Sequence, residues 1–174
     1  DISDTPMGIS VDLYEPAATG WKVDNNQFRN LTYDDGPQIE FLLGGQNPAV
    51  GGGIEGFSFS NNQLVGCTPS KTFPLVSLEP HSPFVPNPST AHAVKFDGNT
   101  TTLCGSTNGA GCPGIYVDLE PWTQVGESSI SGNSISTGDP SQFITNAIEV
   151  VLPESQTNTF KCDSNIISNP QSYG

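Results

Sequence analysis

The chain has 174 residues, enough for one domain with a substantial core, and 13% of them are charged, dividing into 5 basic and 18 acidic for a net charge of −13. That balance argues against nucleic acid and anionic membrane surfaces as partners, because Coulomb repulsion opposes both approaches. Apolar residues recur in short organised runs, which excludes a disordered chain, and no run reaches the length of a membrane-spanning helix.

Strand signals dominate. In chain order they fall at 9–15 (ISVDLYE), 21–23, 27–33, 38–43, 56–60, 63–67, 73–79, 91–96, 101–104, 114–120, 128–131, 133–136, 148–152 and 159–162. Most alternate apolar with polar residues and end in Gly, Pro, Asn or Asp. With 15 prolines and 19 glycines there is little room for long helices. The one helix expected is 139–147 (DPSQFITNA), with Asp139 as N-cap and Pro140 at the first helical position. The run from Pro80 to Pro88 reads as a rigid surface loop, and 163–174 as a C-terminal tail ordered only where it touches the sheet. The Gly-rich run 44–56 lacks the Gly-Lys-Ser/Thr of a P-loop and reads as a loop between strands. The expectation is an all-β single domain over 1–174, built as an antiparallel β-sandwich. A closed β-barrel or a trefoil-like arrangement of pseudo-repeats of about 36 residues is the alternative.

The pseudo-repeats begin at Trp21-Lys-Val-Asp-Asn-Asn and return as Phe57-Ser-Phe-Ser-Asn-Asn, Val94-Lys-Phe-Asp-Gly-Asn and, more loosely, Ser128-Ser-Ile-Ser-Gly-Asn, at spacings of 36, 37 and 34 residues. Asn and Gly tolerate positive φ, so the copies read as turns, either similar hairpins or a duplicated hairpin-plus-strand unit. Cys67 and Cys104 each follow a repeat phenylalanine by eight residues, and VSLEP (76–80) and VDLEP (117–121) follow in turn. VDLYEP (11–16) is a looser version ahead of the first unit.

Four cysteines at even count, two sequons and a start at Asp1 that suggests upstream processing together favour a secreted glycoprotein. The expected disulfides are Cys104–Cys112, closing a Gly-rich loop, and Cys67–Cys162, tying the chain's end to its middle for roughly 4–5 kcal/mol. Asn30 and Asn99 are the expected glycosylation sites.

Candidate chemistry is sparse. Asp118 and Glu120 are two apart and would share one strand face; with Glu79 or Glu15 on a neighbouring strand they could flank a sugar, as glycoside hydrolysis requires. The structural alternative is a strand ending at proline beside an exposed acid. Trp21, Trp122 and Tyr116 are the candidate stacking platforms for a polysaccharide, though aromatics serve equally in a core. His81 and His92 are the only histidines and lack metal-site spacing. Asp34-Asp35-Gly36 and Asp24-Asn25-Asn26 are oxygen-rich turns that could hold a structural calcium. No cofactor is expected, and no GxSxG elbow is present.

The segment Gly56-Phe57-Ser-Phe59-Ser-Asn-Asn-Gln-Leu64-Val-Gly-Cys67, echoed by Gly20-Trp21-Lys-Val23, resembles a motif of secreted fungal cell-wall glycoproteins. There an aromatic-initiated strand, a polar turn and a second strand lead to a cysteine. The resemblance implies a fungal wall or secreted-surface role and transfers no catalytic residue. The expected function is a non-catalytic secreted glycoprotein of cell wall or extracellular matrix, with wall polysaccharide as partner. A carbohydrate-active hydrolase or lyase using paired carboxylates, and a secreted effector binding a host protein, are the alternatives.

Overall fold

In a computed structural model the chain winds as a parallel β-solenoid. The structure describes residues 1–12, 17–43, 53–68, 72–80, 90–106, 112–120, 122, 124–137, 144–154 and 159–168. After β1 (Ile2–Ser3), a first circuit lays down β2 (Ile9–Asp12), β3 (Ala17–Thr19), β4 (Lys22–Asp24) and β5 (Gln27–Arg29). A second gives β6 (Ile39–Leu43), β7 (Gly53–Glu55), β8 (Ser58–Ser60) and β9 (Gln63–Val65). A third gives β10 (Val76–Pro80), β11 (Thr90–His92), β12 (Lys95–Asp97) and β13 (Thr100–Thr102). A fourth gives β14 (Ile115–Asp118), β15 (Gln124–Gly126), β16 (Ser128–Ser131) and β17 (Ser134–Ser136), and β18 (Ile148–Val151), β19 (Phe160–Asp163) and β20 (Ile166–Ser168) follow.

Each circuit adds one strand to each wall. Sheet A runs β1-β5-β9-β13-β17-β20, sheet B β18-β14-β10-β6-β2, sheet C β15-β11-β7-β3 and sheet D β19-β16-β12-β8-β4. Stacking in register makes columns of like residues. Val23, Phe59, Phe96, Ile130 and Cys162 lie one on another along sheet D, with Phe59 and Phe96 ring centroids 5.9 Å apart. Ile39, Val76 and Ile115 form a buried column in sheet B, and Phe41, Leu78 and Val117 form the next. The core is therefore the inside of the coil.

Corners between walls are turned by single left-handed residues. Gly20, Gly56, Ala93 and Glu127 turn sheet C into sheet D; Asn25, Asn61, Gly98, Gly132 and Ser164 turn D into A. The residue after each D–A corner is always asparagine. Asn62, Asn99, Asn133 and Asn165 each accept, through Oδ1, the backbone N–H of the asparagine one circuit earlier, at 2.8–3.0 Å. Their Nδ2 groups donate inward to Val23, Phe59, Phe96 and Ile130 carbonyls at 2.7–2.9 Å. This ladder satisfies buried backbone groups that the corner removes from the sheet.

These facts correct the expected antiparallel sandwich, and with it the barrel and trefoil alternatives. The repeats are turns, but they are corners, and each strand pairs with its counterpart a full circuit away, as Lys22 with Ser58 and Lys95 with Ser129. The expected disulfides are also corrected: no disulfide joins any of the four cysteines. Cys162 sits exposed in the sheet D column, whereas Cys67 neighbours Cys104 across one rung. Cys112 does not close a hairpin loop on Cys104; it bridges to Ile144. Of the expected helix, 139–143 lies outside the described residues and Ile144 is in that bridge. The expected tail continues as β20 in sheet A through Ser168.

Candidate functional site

Sheet B is the wall that gathers chemistry. Its inward residues alternate with outward ones, and parallel register stacks the outward residues into two columns. One is Ser10, Glu40, Ser77, Tyr116 and Glu149; the other is Asp12, Leu42, Glu79, Asp118 and Val151. Adjacent strands lie about 4.8 Å apart, so Glu79 and Asp118 stand as next neighbours on one face. At the rim of the face, Ser10 Oγ lies 3.4 Å from Glu40 Oε2, and Asn146 Nδ2 donates to Glu149 Oε2 at 2.8 Å.

The electrostatics follow from crowding. Burial pushes the Glu79 carboxyl above its ordinary value; the enclosed Ser77 hydroxyl opposes this, and the charges of Glu40 and Asp118 add to it. Burial also raises the Tyr116 phenol, with Asp118, Glu79, Glu149 and Glu120 contributing. A half-buried acid that holds its proton more tightly, beside a second carboxylate, is an arrangement suited to proton donation. The face also presents one half-exposed aromatic and several hydrogen-bond acceptors to solvent.

The sequence candidates divide. Glu79, Asp118 and Tyr116 converge here. Glu120 lies just beyond β14, exposed, its N–H donating to Asp118 Oδ1 at 3.0 Å. Glu15 and His81 lie outside the described residues. Trp122 is fully buried and offers no stacking surface, while Trp21 is 37% exposed at the C–D corner, away from Tyr116. The three aromatics are thus not brought together. Asp34 and Asp35 sit in the bends between β5 and β6, and among the described residues no three His, Cys, Asp or Glu side chains group to hold a metal. Asn30 is exposed, its Nδ2 donating to Asp4 Oδ1 at 2.8 Å. Asn99 is 2% exposed, and its Nδ2, the atom a glycan would occupy, is committed to Phe59 and Asn133.

Sequence reasoning missed Glu40, Ser77 and Glu149. Aligned letter for letter, VSLEP and VDLEP would set Glu79 against Glu120. The structure pairs Leu78 with Val117, two residues out of that alignment, and so sets Glu79 against Asp118. The alternation in IEFLL, read against VSLEP, was the signal for Glu40. A cavity of about 860 Å³ opens elsewhere, at the C-terminal end of the coil, lined by Ile135, Ile144, Val150, Phe160 and Ile167 among others. No protein-family model, no curated protein and no solved structure matches the chain.

Proposed function

We propose that this chain is an extracellular polysaccharide-binding protein of a cell wall or matrix, and that its ligand lies across the outer face of sheet B. The observation that carries the reading is the register of that face: Tyr116 stands between Ser77 and Glu149, beside the column of Glu79 and Asp118. A half-exposed ring, with the partly exposed carboxylates of Glu149, Glu79 and Asp118 on the same face as acceptors for hydroxyl groups, suits a sugar. Carboxylates concentrated on the face, in a chain of net charge −13, favour a neutral glycan over an acidic one. Co-sedimentation with insoluble β-glucan, chitin and cellulose tests this. Depletion by one of these polymers is expected, with Tyr116→Ala weakening retention about tenfold, as loss of one stacking contact of ~1–1.5 kcal/mol would. Retention unchanged in Tyr116→Ala would remove sheet B from the reading.

A second reading, glycoside hydrolysis, is favoured by Glu79 alone. Its raised pKa suits a general acid, and Asp118 on the adjacent strand, about 4.8 Å away in backbone spacing, would supply the second carboxylate that glycoside hydrolysis needs. Sugar released into the supernatant and abolished by Glu79→Gln would select it. Release that survives this substitution would discard it.

A further inference from the structure

Cys67 and Cys104 follow strands β9 and β13, which pair Val65 with Thr102. The ladder carries on past the strands, since Gly105 N–H donates to the Cys67 carbonyl at 3.0 Å. The two cysteines are therefore neighbours on adjacent rungs, both fully buried, with Cys67 N 3.3 Å from Cys104 Sγ. Parallel neighbours about 4.8 Å apart fall inside the ~4.4–6.8 Å Cα separation that a disulfide tolerates. Cys104 Sγ also lies 3.4 Å from the carbonyl oxygens of Leu64 and Thr102, which hold it in the corner.

We propose that Cys67 and Cys104 are a redox-active pair that closes to a disulfide across adjacent rungs when a small-molecule disulfide, of the class of oxidised glutathione, is supplied. Cys67 is the attacking sulfur: the hydrogen-bonding Cys104 thiol holds its pKa below the ordinary thiol value, against the effect of burial, while burial raises Cys104. The Cys67 thiolate attacks one sulfur of the oxidant, forming a mixed disulfide and releasing one thiolate, which takes the Cys104 proton. Cys104 then attacks the Cys67 sulfur and expels the second thiolate, which takes up the proton first lost by Cys67. Two protein thiols lose two electrons and two protons, and the oxidant becomes two thiols. The bond would join one circuit to the next and enclose one whole coil.

The test uses the full chain carrying Cys162→Ser, which removes the exposed competitor. It is incubated with oxidised glutathione just below its melting temperature, and disulfides are mapped by peptide mass spectrometry. Expected is a protein lighter by two hydrogens, a linked peptide pair holding Cys67 and Cys104, and a Tm higher by roughly 5–10 °C. Adding Cys104→Ser should abolish both the link and the rise, while glutathione becomes trapped on Cys67. A link from either cysteine to Cys112, or Cys67 and Cys104 both still free when that incubation ends, would overturn the proposal.

Discussion

Asn99 holds four hydrogen bonds through one side-chain amide. Its Oδ1 accepts from the N–H and Nδ2 of Asn62, and its Nδ2 donates to the Phe59 carbonyl and to Asn133 Oδ1. Truncation to alanine leaves buried groups on both neighbouring circuits without partners, so Asn99→Ala should destabilise by about 2–4 kcal/mol in urea denaturation. Asn99→Asp should lose as much, because a carboxylate cannot donate to Phe59. A loss under ~0.5 kcal/mol for either would mean that the ladder adds little. Gly98, one residue before, has φ of 68°, and a Cβ there would meet Asn61 Oδ1 at 2.6 Å. Gly98→Ala therefore combines left-handed strain with a clash and should lower stability by ~1–2 kcal/mol. Glu79 supplies a pH-dependent case. Its folded pKa is raised, so the fold binds that proton more tightly than the unfolded chain does. Its contribution is present below the ordinary value of 4.5 and is lost as pH rises through the higher folded value. Glu79→Gln should then melt above wild type at pH 7 and not above it at pH 3.5. Parallel melting curves at both values would place the charge outside the crowded face.

At the scale of the element, the decisive unit is the polar pair at the D–A corner. A two-residue hairpin of type I′ needs positive φ at both central residues and favours glycine second. Here only the first residue is left-handed: Asn25, Asn61, Gly98, Gly132 or Ser164. The second is asparagine in every circuit because it must reach its counterpart on the neighbouring circuit. Strands were legible because apolar–polar alternation is the same for either pairing direction. Their partners were not, since a strand that bonds across 34–37 residues carries no local mark of it. Of the site, Glu79 and Asp118 were legible as candidate carboxylates and Tyr116 as a candidate platform, while Glu40 lies in a strand, IEFLL, without the Glu-Pro motif that drew notice to the others. The circuit holding Cys162 and Asn165 was overlooked as a repeat because a cysteine takes the phenylalanine's place in the column. Circuits are also tied on the outside of sheet C, where His92 Nδ1 lies 2.9 Å from Glu55 Oε1 and Nε2 3.6 Å from Glu127 Oε2. The Glu55 hydrogen bond raises the His92 pKa. The bridge therefore stabilises fully below 6.5 and fades as pH rises through the higher folded value. Removing it with His92→Gln should shrink the Tm difference between pH 6 and pH 9. An unchanged difference would assign that pH dependence to other groups.

For the molecule as a whole, net charge and the ends of the coil act against each other. Strands β18, β19 and β20 are the last of sheets B, D and A, and each leaves one edge of backbone donors and acceptors uncovered among the described strands. Ile166 and Ile167 are 64% and 49% exposed there, and Ile167 lines the apolar cavity, so among the described residues this end of the core faces water. Uncovered parallel edges over an apolar surface favour association. A net charge of −13 opposes it. Salt shortens the Debye length from ~30 Å at 0.01 M to ~3 Å at 1 M and removes the repulsion while leaving the apolar end intact. Association followed by light scattering should therefore rise with salt, and a dye such as ANS should fluoresce on the free protein. Ile167→Lys places a cation on the cavity wall and should reduce both signals, leaving the circular dichroism spectrum unchanged. If scattering in high salt is the same with and without that lysine, contacts other than the open end drive the association.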